Sequence, residues 1–173
     1  MLECAAAIAL QPNWRYAPTS LKDVRYAKLP HFHQLWGEAM AGYSGTPLVK
    51  KLGIKNEFKG LVRNSPIEYS KLVPDLPEDF SLSQSWKNGL NLIHIFSKKQ
   101  LELARLIQTA KNYMAPDGMI WASWPKKASK VPTDITEDTI REFALSIDLV
   151  DVKVCAIDET WSGLKLVIRK EKR

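Results

Sequence analysis

The apolar positions of this chain change period several times, and each change marks an element. Leu90-Asn91-Leu92-Ile93-His94-Ile95-Phe96 is a mostly apolar run of strand length, entered through the turn pair Asn88-Gly89. Ser97 stands where a helix N-cap belongs, and Leu101, Ala104, Ile107, Ala110 and Met114 follow at helical spacing. The pattern predicts a helix through about Met114, stopped by Ala115-Pro116-Asp117-Gly118. Met119-Ile120-Trp121-Ala122-Ser123-Trp124 is apolar at both parities, as in a parallel strand covered on both faces. Thr136 then caps a second helix, with Glu137 and Asp138 in its first turn and Ile140, Phe143, Ala144 and Ile147 toward the core. Two strands close the chain, 152–157 and about 161–169. In the last, Leu164, Leu166 and Ile168 alternate with Lys165, Val167 and Arg169, the pattern of a strand with one exposed face near a sheet edge.

Upstream signals are shorter. Residues 48–54 read as a brief helix, with Pro47 in its first turn and Gly53 at its end. Residues 59–64 read as a first strand, 67–73 as a one- or two-turn helix, and Phe80 with Leu82 as part of a short strand. Alternating strands and helices predict an α/β fold: a three-layer Rossmann-like sandwich around a mostly parallel sheet, with an antiparallel strand near the C-terminus.

Residues 1–39 have another character. Three prolines, Pro12, Pro18 and Pro30, interrupt them, and no period of 3.6 or 2 persists. They read as an irregular N-terminal extension, with a single α/β domain over 40–173, and Met40 as the expected natural start. Leu2–Leu10 is apolar but follows no basic segment and leads to no small-residue cleavage site, so a secretory signal is not expected.

Composition narrows the classes further. The 173 residues carry a net charge of +6 and 45% hydrophobic side chains, which excludes wholesale disorder. No apolar run reaches the roughly 18–20 residues a membrane span requires, so no membrane association and a cytoplasmic location are expected. Two cysteines at opposite ends, Cys4 and Cys155, exclude a disulfide framework and a cysteine-rich metal site. The basic residues are dispersed rather than gathered in one run, which argues against nucleic acid as a partner.

Three stretches resemble the bacterial family called domain of unknown function 3052. They are Gly42-Tyr43-Ser44-Gly45-Thr46-Pro47-Leu48 with Lys51-Leu52-Gly53-Ile54-Lys55; Pro116-Asp117-Gly118 through Trp121 and Trp124-Pro125-Lys126-Lys127-Ala128-Ser129; and Val150–Ala156 with Asp158-Glu159-Thr160-Trp161-Ser162-Gly163-Leu164. That family has no established activity, so the resemblance implies domain limits and not chemistry. The order of elements from Leu92 to Arg169 also resembles the second half of a class I methyltransferase. Such enzymes hold S-adenosylmethionine on a glycine-rich turn after the first strand. Here that turn reads Asn64-Ser65-Pro66-Ile67, without glycine. No acidic residue ends a clear second strand, although Asp75, Glu78 and Asp79 lie in the region.

Candidate chemistry is sparse. Gly42-Tyr43-Ser44-Gly45-Thr46 lacks the second glycine of a nucleophile elbow and the Gly-Lys of a phosphate loop. It reads first as a turn, and second as a place where the glycine N–H groups, with Lys50 or Lys51, receive an anion, which makes Tyr43 and Ser44 candidate ligand-binding residues. His94 is the one histidine of the domain, and within an apolar strand it reads as a hydrogen-bonded core residue before a general base. Trp124-Pro125-Lys126-Lys127 follows the carboxyl end of a central strand, where open α/β sheets place ligands. Asp158-Glu159-Thr160-Trp161-Ser162-Gly163 joins the last two strands; if these are antiparallel neighbours it emerges at the same sheet end, and Lys126, Lys127, Asp158 and Glu159 are then expected to cluster around Trp124 and Trp161. The sequence thus points to no catalytic residue, no metal and no cofactor. Its leading expectation is a non-enzymatic binding or regulatory module for an anionic small molecule or a protein partner. The alternative is a divergent S-adenosylmethionine-dependent transferase without the glycine-rich motif.

Overall fold

A computed structural model of the protein describes residues 45–173; Tyr43, Ser44, the expected start at Met40 and the expected 1–39 extension lie outside the described residues. In chain order the elements are α1 (Leu48–Leu52), β1 (Lys59–Arg63), α2 (Tyr69–Leu72), β2 (Ser81–Ser83), β3 (Leu90–Phe96), α3 (Gln100–Tyr113), β4 (Met114–Pro125), α4 (Glu137–Ser146), β5 (Leu149–Ala156) and β6 (Trp161–Ile168). Short 3-10 turns follow at Lys127–Ser129 and Lys170–Lys172.

The six strands form one sheet in the order β2-β1-β3-β4-β6-β5. Pairings from β2 to β4 are parallel, and β6 runs antiparallel to both β4 and β5. The fold is therefore the expected α/β Rossmann-like sandwich with one reversed strand near the C-terminus, and its topology is methyltransferase-like.

Strand parity divides the core in two. Ile93, Ile95, Ile120, Ala122, Trp124, Leu164 and Leu166 face α3 and α4. Leu92, Phe96, Met119, Trp121 and Trp161 face α1 and α2, joined there by Val49, Leu52, Tyr69 and Leu72. Both faces of β3 and β4 are thus covered, which is why their sequences are apolar at successive positions.

Several local expectations hold. Gly53 ends α1 in the left-handed region (φ 74°), with its N–H on the carbonyls of Val49 and Lys50. Thr136 caps α4 through a reciprocal box with Thr139. Others are corrected. The expected cap of α3 is not Ser97, because the helix starts at Gln100 behind an extended Lys99. Ser97 instead closes a turn, its Oγ accepting from the Lys99 N–H at 3.0 Å and reaching Glu102 Oε2 at 2.5 Å. The open Gln100 N–H is taken by Asp134 Oδ1 at 2.7 Å, from 34 residues away. The buried stripe of α3 is Leu103, Ile107 and Ala110, packed against the sheet, while Leu101, expected in it, is 64% exposed.

The expected stop at 115–118 is instead the opening of β4, accommodated by a register shift against Leu90 and Leu92. Finally, β6 lies one strand inside the sheet, and β5 is the edge. Its Lys165 face is half-covered because α1 packs beside it. Among the described residues no helix is long and apolar enough to cross a membrane.

Candidate functional site

Reversal of β6 brings two connections together at the carboxyl end of β4. Pro125 pairs with Trp161 and Trp124 with Ser162. The Lys126 N–H donates to Thr160 O at 2.7 Å, tying the exit of β4 to the β5–β6 hairpin. From there residues 126–136 arch back to α4. This arch is held by Thr133 Oγ1 donating to Lys98 O and by Ser129 Oγ donating to Lys126 O. Between arch and sheet lies a cleft of about 660 Å³, within the size range of small-molecule sites.

The floor of the cleft is Trp124 and Pro125, with Ser162 beside them; the lysines of its wall are Lys126, Lys127 and Lys130. Lys127 and Lys130 are exposed. The acidic residue on the wall is Glu137, and its carboxylate is engaged by Arg141 one turn along α4. Arg141 also bonds Asp138 and Asp151, each at 3.0 Å. Arg141 thus holds the Glu137 carboxylate on the α4 side of the cleft, across from the exposed Lys127 and Lys130.

The other expected site residues are placed as follows. Asp158 turns inward on its own loop: its Oδ1 accepts from the N–H groups of Thr160 and Trp161, both at 2.7 Å, and so closes the hairpin. Glu159 is exposed at the hairpin tip. Trp161 lies on the α1–α2 face, edge-on to Phe96 at 5.3 Å, whereas Trp124 lies on the α3–α4 face. The sheet separates the two indoles, because residues adjacent in register, Trp124 and Pro125, point to opposite faces. The structure thus gathers Trp124, Lys126 and Lys127 at one cleft and leaves Trp161 behind it. Ser162, part of the 158–163 candidate stretch, joins them because it pairs with Trp124. Lys130 and the Glu137–Arg141 pair were not singled out as site residues, although the i, i+4 spacing of the pair was a readable signal.

His94 is fully buried at the centre of the sheet. Its Nδ1 lies 3.0 Å from Tyr69 Oη and its Nε2 2.8 Å from Ser123 Oγ, while its ring stacks on Phe96 at 4.3 Å. Each partner is a hydroxyl, able to donate or accept, so a neutral imidazole is satisfied in either tautomer. Burial lowers the His94 pKa from 6.5 to about 3 and pushes the Tyr69 phenol above its ordinary range. Sealed among apolar groups, this relay braces the core. Cys155, on the edge strand β5, is half-buried, its thiol pKa raised by burial, and packs as a small apolar side chain against the α1–α2 side of the core.

The β1 turn is where the methyltransferase resemblance puts S-adenosylmethionine. Asn64 takes the left-handed conformation (φ 56°) and donates through Nδ2 to Glu102 Oε1 at 3.1 Å. Ser65 Oγ closes onto Ile67 O at 2.6 Å, Pro66 has no N–H to offer, and α2 spans four residues. A turn without glycine, whose Asn64 and Ser65 side chains are engaged by Glu102 and Ile67 O and whose Pro66 lacks an N–H, does not fit that cofactor in the manner of a glycine-rich loop. Among the described residues no group of three or more His, Cys, Asp and Glu side chains could hold a metal ion.

No family model and no curated protein matches the chain, and the expected resemblance to the domain of unknown function 3052 family finds no support there. Among solved structures the chain is similar to a SAM-dependent methyltransferase from Aquifex aeolicus, at 11% identity and a TM-score of 0.49, over 70% of this chain and 88% of that one. It is also similar to magnesium protoporphyrin IX methyltransferase from Synechocystis PCC 6803, at 9% identity and a TM-score of 0.48, over 70% and 74% of the two chains. A third is a TehB-like SAM-dependent methyltransferase from Corynebacterium glutamicum, at 11% identity and a TM-score of 0.44, over 80% and 97%.

Proposed function

We propose that the domain is a binding module that receives an anionic small molecule in the cleft between the end of β4 and the 126–136 arch. One observation carries this reading: a cleft at the carboxyl edge of a central strand presents the exposed Lys127 and Lys130, while the carboxylate of its one acidic wall residue, Glu137, is held by Arg141 on α4. Trp124 and Pro125 supply a flat apolar floor for the uncharged part of the ligand, and Lys127 and Lys130 supply mobile cationic donors for its acidic group. The location agrees with the rule for open α/β sheets.

The test is a thermal-shift and NMR screen of the full chain against ATP, S-adenosylmethionine and glucose 6-phosphate. An anionic probe is expected to raise Tm and to move the Trp124 indole N–H signal. Lys127→Ala with Lys130→Ala should abolish both effects and leave the ligand-free Tm nearly unchanged. Absence of any response at millimolar probe, or a response that survives the double substitution, overturns the proposal.

A second reading, a divergent S-adenosylmethionine-dependent transferase, draws on the methyltransferase-like strand order. Because fold alone does not determine function, it requires contacts other than those of the β1 turn. Stabilisation by S-adenosylmethionine, and by neither ATP nor glucose 6-phosphate, would replace the first reading with this one.

A further inference from the structure

On the opposite face of the sheet, Lys153 of β5 stands directly across from Lys165 of β6. Cross-strand partners share a face and lie about 4.5–5.5 Å apart at Cα, and like charges so placed destabilise the pair. Nothing in the fold separates them. Lys153 Nζ donates to Lys51 O in the last turn of α1 at 3.1 Å, which draws it toward the α1 side. The Lys165 ammonium lies where a Cβ on Gly53 would come within 3.7 Å, at the end of the same helix. Lys55, on the loop just beyond, acts on Lys165 as well.

The chain's ion pairs show what is missing here. Arg141 alone engages three carboxylates, and Lys71 and Lys111 each have an acidic partner. Among the described residues, Lys55, Lys153 and Lys165 have none. Burial and the two neighbouring ammonium groups lower the Lys165 pKa, and no carboxylate opposes them. Lys153 and Lys165, held at one cross-strand register, with Lys55 two residues beyond the left-handed cap at Gly53, form a preorganised site for a group of opposite charge.

We infer that Lys55, Lys153 and Lys165 form a second anion site, separate from the Trp124 cleft, that takes a multivalent oxyanion of the phosphate or pyrophosphate type. A multivalent oxyanion can accept from several ammonium groups at once, and its arrival removes their mutual repulsion. Occupation therefore both binds the ligand and stabilises the β5–β6 edge.

The experiment is a set of thermal melts of the full chain in low-salt buffer, with sodium pyrophosphate compared with sodium chloride at equal ionic strength. Saturating pyrophosphate should raise Tm by about 5 °C more than chloride does. Lys165→Met and Lys153→Ala should each raise Tm without anion, because repulsion is relieved, and should each abolish the pyrophosphate-specific shift. Lys153 is exposed, so its variant serves even where Lys165→Met disturbs packing. Equal shifts with chloride and pyrophosphate would reduce the effect to screening and overturn the inference. So would a shift that persists in both variants but disappears in Lys127→Ala with Lys130→Ala, which would place the anion in the cleft instead.

Discussion

The sealed position of His94 makes a quantitative prediction about acid stability. Above pH 6.5 the imidazole is neutral in both the folded and the unfolded chain and contributes no pH dependence. Below 6.5 the unfolded chain binds a proton that the folded chain refuses until about pH 3. The unfolded state then holds more protons, so stability falls as pH falls. The slope is about 1.4 kcal/mol per pH unit, which amounts to roughly 3 kcal/mol by pH 4 and about 5 kcal/mol by pH 3. Both hydroxyl partners could accept from an imidazolium, so burial, and not the hydrogen bonds, excludes the proton. Urea unfolding at steps from pH 7 to pH 4 measures the effect, and His94→Gln isolates it, since glutamine still reaches for hydroxyls but does not titrate. The variant should be less stable at pH 7 yet lose about 3 kcal/mol less than the wild type on going to pH 4. Tyr69→Phe leaves the imidazole buried; it should cost about 1–3 kcal/mol at every pH and keep the wild-type slope. Parallel curves for the wild type and His94→Gln below pH 6.5 would refute the reasoning.

Further predictions follow from particular contacts. Leu103→Ala should cost about 2–5 kcal/mol in urea unfolding and Leu101→Ala close to nothing, since the first is 2% and the second 64% exposed. An alanine Cβ at Gly163 would meet Ile157 Cδ1 at 2.9 Å, Ser123 Oγ at 3.0 Å and Trp121 Cε3 at 3.1 Å, so Gly163→Ala should destabilise by about 1–3 kcal/mol and disturb the His94 relay, visible as a shifted imidazole signal. Thr136→Ala removes the cap of α4 and should lower stability by about 1 kcal/mol, measured in the same way. Arg141→Met releases Glu137 into the cleft wall; affinity for an anionic probe should fall several-fold, and unchanged affinity would show that the charge of Glu137 does not reach the ligand.

Much of this was legible without coordinates because it is local. The two-sided apolar run of 90–96 could be recognised as a central strand, since a strand covered on both faces leaves no polar parity. Gly53 and Thr136 marked helix ends because each solves a problem of its own backbone, positive φ in one case and open N–H groups in the other. Trp124-Pro125-Lys126-Lys127 could be singled out because its place after a central strand is itself a statement about the sheet edge.

What escaped was set at a distance along the chain. The first N–H of α3 is taken by Asp134, 34 residues away, and packing against the sheet buries Leu103 in place of Leu101. Trp124 and Trp161 looked like one aromatic cluster, yet the register of β4 against β6 puts them on opposite sides of the sheet. Lys153 and Lys165 looked like ordinary solvated lysines until strand pairing set them face to face. The sequence by itself determined the elements, their α/β order and the turns that end them, because those follow from backbone preferences and hydrophobic period within a few residues. Only the tertiary structure decided which charges meet and which aromatic rings share a face. Those depend on strand order and register, and a shift of one residue there exchanges core for solvent.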